Sequence, residues 1–439
     1  SRYYIEGSFR YDGSDNFAPG HRWGFFPSVA LAWDITEEPF FKNLELKNVN
    51  LLKLRGSYGQ TGTESGVNRF GYLSTYSLVE NAICIGGNLY SGFNEGALVS
   101  PELLSWYTRD SYNYGLDYAF FQHRLKGSVD YFFYITKGGL MSPADRYITP
   151  LGTALPQIKS DSEHRREGFE VSARWSDKVG NDFNYEVGTN MTYYNNLYVK
   201  NVSESLSALM NPYQRNTHQT DYYGLLLVDN GLYQSVDQVL GSPRRPESTE
   251  TKLGDIVYQD INGDGKVNSE DKVRYGMPTS PHFTYGVDFL LSYKGFSLSG
   301  LFYGTGKRHM MFGVNTMKAE AQYVKNEYQL DYWTAENTDA TFPRVSLAAG
   351  VNGENNRIES TFYLRNASFF RLKNLTLAYD FKYKLLKNVK WLTACRVNLT
   401  GSNLFTISGV SDYFDPETTS TNGGYPVSRI YSFGLTVGF

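Results

Sequence analysis

Apolar side chains fall on every second position through much of the chain. The sets Val29, Leu31, Trp33 and Ile35; Tyr112, Tyr114, Leu116, Tyr118 and Phe120; Leu125, Val129, Tyr131, Phe133 and Ile135; and Tyr285, Val287, Phe289, Leu291 and Tyr293 each keep to one parity. Small, polar or charged residues hold most of the opposite parity. Because successive side chains of a strand point to opposite faces, each run predicts a strand with one greasy and one polar face. About twelve such runs are found, near residues 2–13, 22–35, 50–62, 108–121, 123–137, 166–177, 183–198, 283–294, 296–305, 362–381, 391–406 and 426–439. In the last of them Val427, Tyr431, Phe433, Leu435, Val437 and Phe439 oppose Ser428, Ser432, Gly434, Thr436 and Gly438. In the run beginning at Arg124, the polar face carries Lys126, Ser128, Asp130 and Thr136, with Phe132 and Tyr134 as exceptions.

The connections add more. Phe121 to His123, Asp177 to Asp182, Lys294 to Gly295 and Lys382 to Lys390 are short, and they alternate with long segments at 63–107, 138–165, 199–282 and 306–361. Short turns on one rim and long loops on the other is the organisation of an outer-membrane barrel, whose greasy parity meets lipid and whose polar parity faces a wet interior. The fold class expected is therefore all-β, a transmembrane antiparallel barrel; a large soluble sheet protein is the alternative. Thr36 to Asn48 is the longest of the inner connections, and its Glu37-Glu38-Pro39-Phe40-Phe41-Lys42 reads either as a helical turn or as an ordinary turn with a surface proline.

Composition sharpens this picture. The 439 residues carry a net charge of -3, which argues against a nucleic-acid partner. Aromatics make up 16%, including 36 tyrosines, in keeping with aromatic girdles. Mean hydropathy is -0.43, and no apolar run approaches the roughly 18 residues of a membrane helix, although strands cross with about 9 to 11. Cys84 and Cys395 form neither a disulfide framework nor a metal spacing.

One local motif carries chemistry. In Asp260-Ile261-Asn262-Gly263-Asp264-Gly265-Lys266-Val267-Asn268-Ser269-Glu270-Asp271, oxygen side chains stand at loop positions 1, 3, 5, 9 and 12, with a glycine at 6. That spacing predicts one structural calcium ion held by Asp260, Asn262, Asp264, the Lys266 carbonyl, Asn268 and Asp271; a solvated turn is the alternative. Asp271 stands where an EF-hand has a bidentate Glu, which resembles the dockerin variant. No catalytic residues emerge: His21, His123, His164, His218, His282 and His309 lack metal-ligand spacing, and there is no nucleophile elbow or phosphate loop. Long-loop aromatics, Tyr213, Tyr222, Tyr223 and Tyr233 in one loop and Tyr323, Tyr328, Tyr332 and Trp333 in another, suit either ligand rings or loop packing. Tyr222, Tyr223 and Trp333 are the substrate-binding candidates.

Several segments together resemble the SusC/RagA family of TonB-dependent transporters. They are Leu253 to Gly265, Gly276-Met277-Pro278, Phe283 to Gly286, Arg10 to Ser14 with Phe26-Pro27-Ser28, Trp333 to Ala340, Phe370 to Leu377, and Gly401-Ser402-Asn403-Leu404-Phe405. The segment Ser162 to Arg166 departs from the family, which more often has an Asn-Gly-rich strand entry. The resemblance implies a 22-stranded outer-membrane barrel with an amino-terminal plug and TonB box. About twelve strands would be its carboxy-terminal part, residues 1–439, with the calcium loop inserted near 255–275 on the external side. The opening Ser1-Arg2-Tyr3-Tyr4, already in a strand pattern, is expected to be a cut from a longer polypeptide. The implied function is TonB-driven import of an oligosaccharide or oligopeptide beneath a SusD-like lipoprotein, without enzymatic chemistry. Other implied partners are membrane lipid and lipopolysaccharide, TonB through the missing part, and a second transporter–lipoprotein pair. The alternative is a calcium-stabilised binding or adhesion barrel that does not transport.

Overall fold

The computed structural model describes residues 1–96, 104–141, 158–202, 204, 206–216, 218, 220–248, 250–311, 327, 330–345, 351–410, 414–418 and 427–439. Twelve strands form one sheet: β1 (Tyr3–Gly13), β2 (Trp23–Asp34), β3 (Val49–Thr63), β4 (Tyr107–Phe120), β5 (Leu125–Lys137), β6 (Glu163–Val179), β7 (Phe183–Lys200), β8 (Phe283–Tyr293), β9 (Phe296–Gly306), β10 (Phe369–Asp380), β11 (Ala394–Ser408) and β12 (Ile430–Gly438). Their spatial order is their chain order, with no crossover. Each predicted run thus pairs with the next one along the chain. Pairing is antiparallel and holds register over long stretches, as from Thr108↔Lys137 to Phe120↔Leu125 between β4 and β5.

The tight turns explain how such hairpins close. Between β4 and β5, Phe121, Gln122 and His123 all take left-handed conformations (φ 55°, 59° and 64°), and the His123 N–H donates to Asn50 Oδ1 at 3.2 Å. Between β8 and β9, Lys294 (φ 47°) precedes Gly295 (φ 86°), where a Cβ would stand 2.9 Å from that of Tyr383. The connection from β2 to β3 contains the helical turn, a 3-10 turn at Ile35–Glu37 followed by Pro39–Lys42. Tyr3 and Trp33 both donate to Glu38 Oε1, at 2.5 and 3.0 Å, and so tie this turn to β1 and β2.

The greasy parity is open. Ile5 is 80% exposed, Leu31 54%, Tyr431 76% and Phe433 69%. A soluble sandwich would cover such positions with a second layer, whereas a strand facing lipid leaves them outward.

Three sequence expectations change in detail; in one, the run at 426–439 becomes a strand only from Ile430, with Val427 outside it. The run at 362–381 divides: Thr361–Tyr363 is a 3-10 turn, Leu364–Asn366 pairs with His309–Met311, and β10 begins only at Phe369. Leu364 is drawn out of the main sheet because it packs in a separate apolar cluster. The run at 391–406 starts late, at Ala394. Periodicity also gave no sign of the five two-stranded sheets found among the described residues of the long connections.

Contacts divide the chain into two compact units. The first holds residues 1–170, 194–209 and 216–220; the second holds 171–193, 210–215 and 221–439.

Candidate functional site

The long connections of the second unit fold onto a core of their own. Leu226, Leu227, Leu232, Ile256, Tyr258, Val267, Met310, Met311, Tyr363 and Leu364 are buried together. Three short ribbons supply most of them: Gly224–Leu226 with Val273–Tyr275, Asp229–Leu232 with Ile256–Tyr258, and His309–Met311 with Leu364–Asn366. Burial holds the Tyr258 and Tyr363 hydroxyls protonated far above the usual tyrosine range. Both still find acceptors, the Tyr258 hydroxyl donating to the Asn355 carbonyl at 2.8 Å and that of Tyr363 to the Asn356 carbonyl.

Several polar groups within this layer are matched. Asp255, fully buried, meets Arg344 Nε at 2.6 Å, accepts from Asn356 Nδ2 at 2.8 Å and from the Lys252 N–H at 2.9 Å. Asn355 and Asn356 in turn bond the backbone of Ile256, so one carboxylate and two amides lock a distant segment onto the ribbon. Burial lowers the pKa of His309, whose Nδ1 accepts from the Met277 N–H at 2.9 Å.

The oxygen-rich loop sits on this core through Val267, 1% exposed. Asp260 accepts three backbone N–H bonds, from Gly263 (2.7 Å), Asp264 (3.2 Å) and Gly265 (2.8 Å). Asn262 accepts from Asp264 N at 3.0 Å, Asp264 from Lys266 N at 2.9 Å, and Asn268 from Glu270 N at 2.7 Å. Asp271, fully buried, closes the ring by accepting from Ile261, Asn262 and Asn268. Gly263 and Gly265 take φ of 77° and 83°, conformations that a side chain would strain. The donor set is all oxygen, as a hard divalent cation requires, and each carboxylate has about four lone-pair directions, not all spent on N–H groups. Among the described residues no three Asp, Glu, His or Cys side chains already stand as a metal site. The expected donor set also includes Asn262, Asn268 and the Lys266 carbonyl, which are not among those residue types.

The three candidate ligand aromatics have protein neighbours. The Arg274 guanidinium lies 4.5 Å from the centroid of the Tyr222 ring and also donates to its hydroxyl. Tyr223 packs on the apolar cluster. So does Trp333, whose ring comes so close to Gly254 (φ 79°) that a Cβ there would meet it at 2.5 Å. Its indole donates to Gln234 at 3.3 Å. Tyr213 is exposed, Tyr233 is buried and Tyr332 is half-buried, while Tyr323 and Tyr328 lie outside the described residues.

Sequence reasoning missed three ionic clusters. On the polar face in the first unit, Arg55 donates to Asp117 at 2.8 and 2.9 Å and to Asp130 at 3.0 Å, above Gly115, where a Cβ would meet Asp130 at 2.5 Å. In the second unit, Arg174 joins Glu186 and Asp288 above Gly188 in the same manner. Arg371, 2% exposed, binds Thr406 Oγ1, Asp415 and Glu417, which fastens residues of the β11–β12 connection to the wall. Cross-strand register carries the first two, and it becomes visible only when strand pairing is known.

Comparison with known proteins agrees with this geometry. The family described as TonB dependent receptor-like, beta-barrel, matches residues 1–404. The chain is 27% identical to TonB-dependent receptor P3 of Formosa agariphila, covering all of this chain and 44% of that protein. It is 28% identical to TonB-dependent receptor SusC of Bacteroides thetaiotaomicron, covering all of this chain and 42% of that one. Among solved structures, the RagAB peptide importer in an open-open state superposes with a TM-score of 0.76 at 22% identity, over all of this chain and 45% of the importer chain. The chain thus spans somewhat under half the length of these relatives.

Proposed function

Because the chain belongs to the TonB-dependent receptor-like β-barrel family of the outer membrane, we propose that it forms the carboxy-terminal wall and external loops of an energised importer of oligosaccharides or oligopeptides. The observation that carries the proposal is the twelve-stranded sheet, ordered as the chain is and open on its greasy parity, in a chain matched by that family along most of its length. The remaining strands and a plug would come from the rest of a longer protein, with TonB acting on the plug. This portion supplies wall, ligand surface and partner surface, and no covalent step.

A surface lipoprotein of the SusD type is the partner proposed. Supporting it is the hairpin of Tyr76–Ile85 and Asn88–Glu95, which shows Leu78, Ile83, Ile85, Leu89 and Phe93 to solvent. Exposed apolar patches on this scale mark protein contacts. Calcium is the proposed cofactor, held by Asp260, Asn262, Asp264, the Lys266 carbonyl, Asn268 and Asp271, with the role of stiffening the loop layer. Tyr222 is the proposed ligand contact in that layer; Tyr223 and Trp333 would act by holding the layer's shape.

The test uses the full-length protein in cells with its lipoprotein. A labelled oligosaccharide or peptide bound by the pair should remain at the surface when TonB is deleted or the proton gradient collapsed, and should enter when both are intact. Entry that ignores TonB and the gradient would overturn the importer reading.

A further inference from the structure

The polar face of the first unit changes character along its strands. Near the short turns its arginine is neutralised, Arg55 lying between Asp117 and Asp130. Toward the long connections it is not. There Arg109 of β4 lies 4.4 Å from the ring centroid of Tyr134 in β5. Arg166 of β6 lies 5.7 Å from the same ring and 4.4 Å from that of Tyr194 in β7. Four adjacent strands thus contribute Arg, Tyr, Arg and Tyr in turn. Tyr134 is one of the two aromatics that broke the alternation of its strand, and its place between two guanidinium groups accounts for it.

Both arginines keep donors to spare. Arg109 Nε donates to Thr136 Oγ1 at 3.4 Å and Arg166 Nε to Asn196 Oδ1. Among the described residues neither guanidinium pairs with a carboxylate. A guanidinium cannot neutralise itself by losing a proton, and a planar fork held over an aromatic ring is pre-set to take a carboxylate or sulfate on two parallel N–H bonds. Strands two apart are separated by about 10 Å, so the two forks suit charges carried at intervals along one chain. Ser111 and Asn113 share this face with Thr136 and Asn196, a hydroxyl and amide setting suited to a hydroxyl-rich ligand.

A second basic feature lies at the same end of these strands. A cavity of about 350 Å³ is lined by Lys137, Lys159 and Lys200 together with Asp161 and Glu163. Lys137 is paired with Asp110 at 3.3 Å. Among the described residues Lys159 donates to Ser105 Oγ (3.2 Å) and the Trp106 carbonyl (3.0 Å), and burial lowers its pKa.

We propose that the Arg109–Tyr134–Arg166–Tyr194 ladder binds the anionic groups of an acidic oligosaccharide, a uronate or a sulfate ester, and so sets ligand class for the importer. This rests on the import reading but is tested without it, by equilibrium binding to purified full-length protein and its lipoprotein in detergent. Four probes are titrated calorimetrically: an oligogalacturonate, its carboxyl-reduced neutral form, a sulfated galactan oligosaccharide, and oligoglutamate as the peptide control. At least one anionic oligosaccharide should bind ten-fold or more tighter than the neutral one, and which of the two does so tells carboxylate from sulfate. Arg109→Gln with Arg166→Gln should abolish that preference, while Arg109→Lys with Arg166→Lys, which keeps charge and loses the fork, should restore it only in part. Heat-modifiable gel mobility confirms that each variant is folded. Equal binding of neutral and anionic probes, binding of none, an unchanged preference in the Gln variant, or tighter binding of oligoglutamate would each overturn the site. Tight, Arg-dependent binding by a protein that fails to import in cells would instead overturn the import reading and leave the site standing.

Discussion

At the scale of single residues, the wall is organised by charges that cancel across strands. Arg55 serves two carboxylates that would otherwise repel, and Gly115 gives it room to lie flat between them. Removing one member of a buried ionic cluster costs about 3–5 kcal/mol. With Arg55 about one-third exposed, solvent screening brings the expected loss for Arg55→Met nearer ~2 kcal/mol. The midpoint of unfolding, followed by heat-modifiable gel mobility of the full-length protein, should fall. Adding Asp117→Asn and Asp130→Asn to the same variant should recover most of the loss by removing the repulsion. A midpoint that does not move with Arg55→Met would show that the cluster is neutral to stability.

At the scale of elements, strands and loops were unequally legible. Every main strand announced itself because two different surroundings impose period two on each, and Leu125 to Ile135 needs no partner to reveal its faces. The loop layer gave no such signal. Its core gathers Leu226, Ile256, Met310 and Tyr363 from widely separated segments, each in a ribbon or turn too short for a period to show. Trp333 and Tyr223 were legible as unusual aromatics, but sequence could not say that their rings pack on protein. The oxygen-rich loop was legible because its geometry is local, with donors and acceptors all inside twelve residues. For that loop, calcium should protect the segment 221–282 from limited proteolysis, and chelation should expose it. Asp260→Ala and Asp264→Ala should each abolish the protection and the heat of calcium binding measured by titration calorimetry. Identical cleavage with calcium and with chelator, and no heat, would leave the loop a self-bonded turn.

At the scale of the whole molecule, the sheet separates two solvents, and one strand suffices to test this. On β5, Val129 is 41% exposed on the greasy face, next to Ser128 on the polar face. A charge at mid-membrane on a lipid face costs about 2–4 kcal/mol, and much less on the wet face. Val129→Arg should therefore lower the amount of folded protein in purified outer membranes, while Ser128→Arg leaves it near the wild-type level. Spin labels should find site 129 open to oxygen and closed to water-soluble relaxation agents, with the reverse at site 128. Equal behaviour at both sites would overturn the membrane reading.

The two arginine clusters over glycine also bear on descent. One uses β3, β4 and β5 and the other β6, β7 and β8, an offset by an odd number of strands, so that β4 runs toward its short turn and β7 away from one. In both, the extra acid, Asp117 or Glu186, stands on the short-turn side of the glycine. Copying a hairpin shifts a pattern by an even number of strands and preserves chain direction, so duplication could not have made one cluster from the other. Their likeness is one of local geometry, an arginine laid over a glycine between two carboxylates, and it holds whichever way the strand bearing the glycine runs.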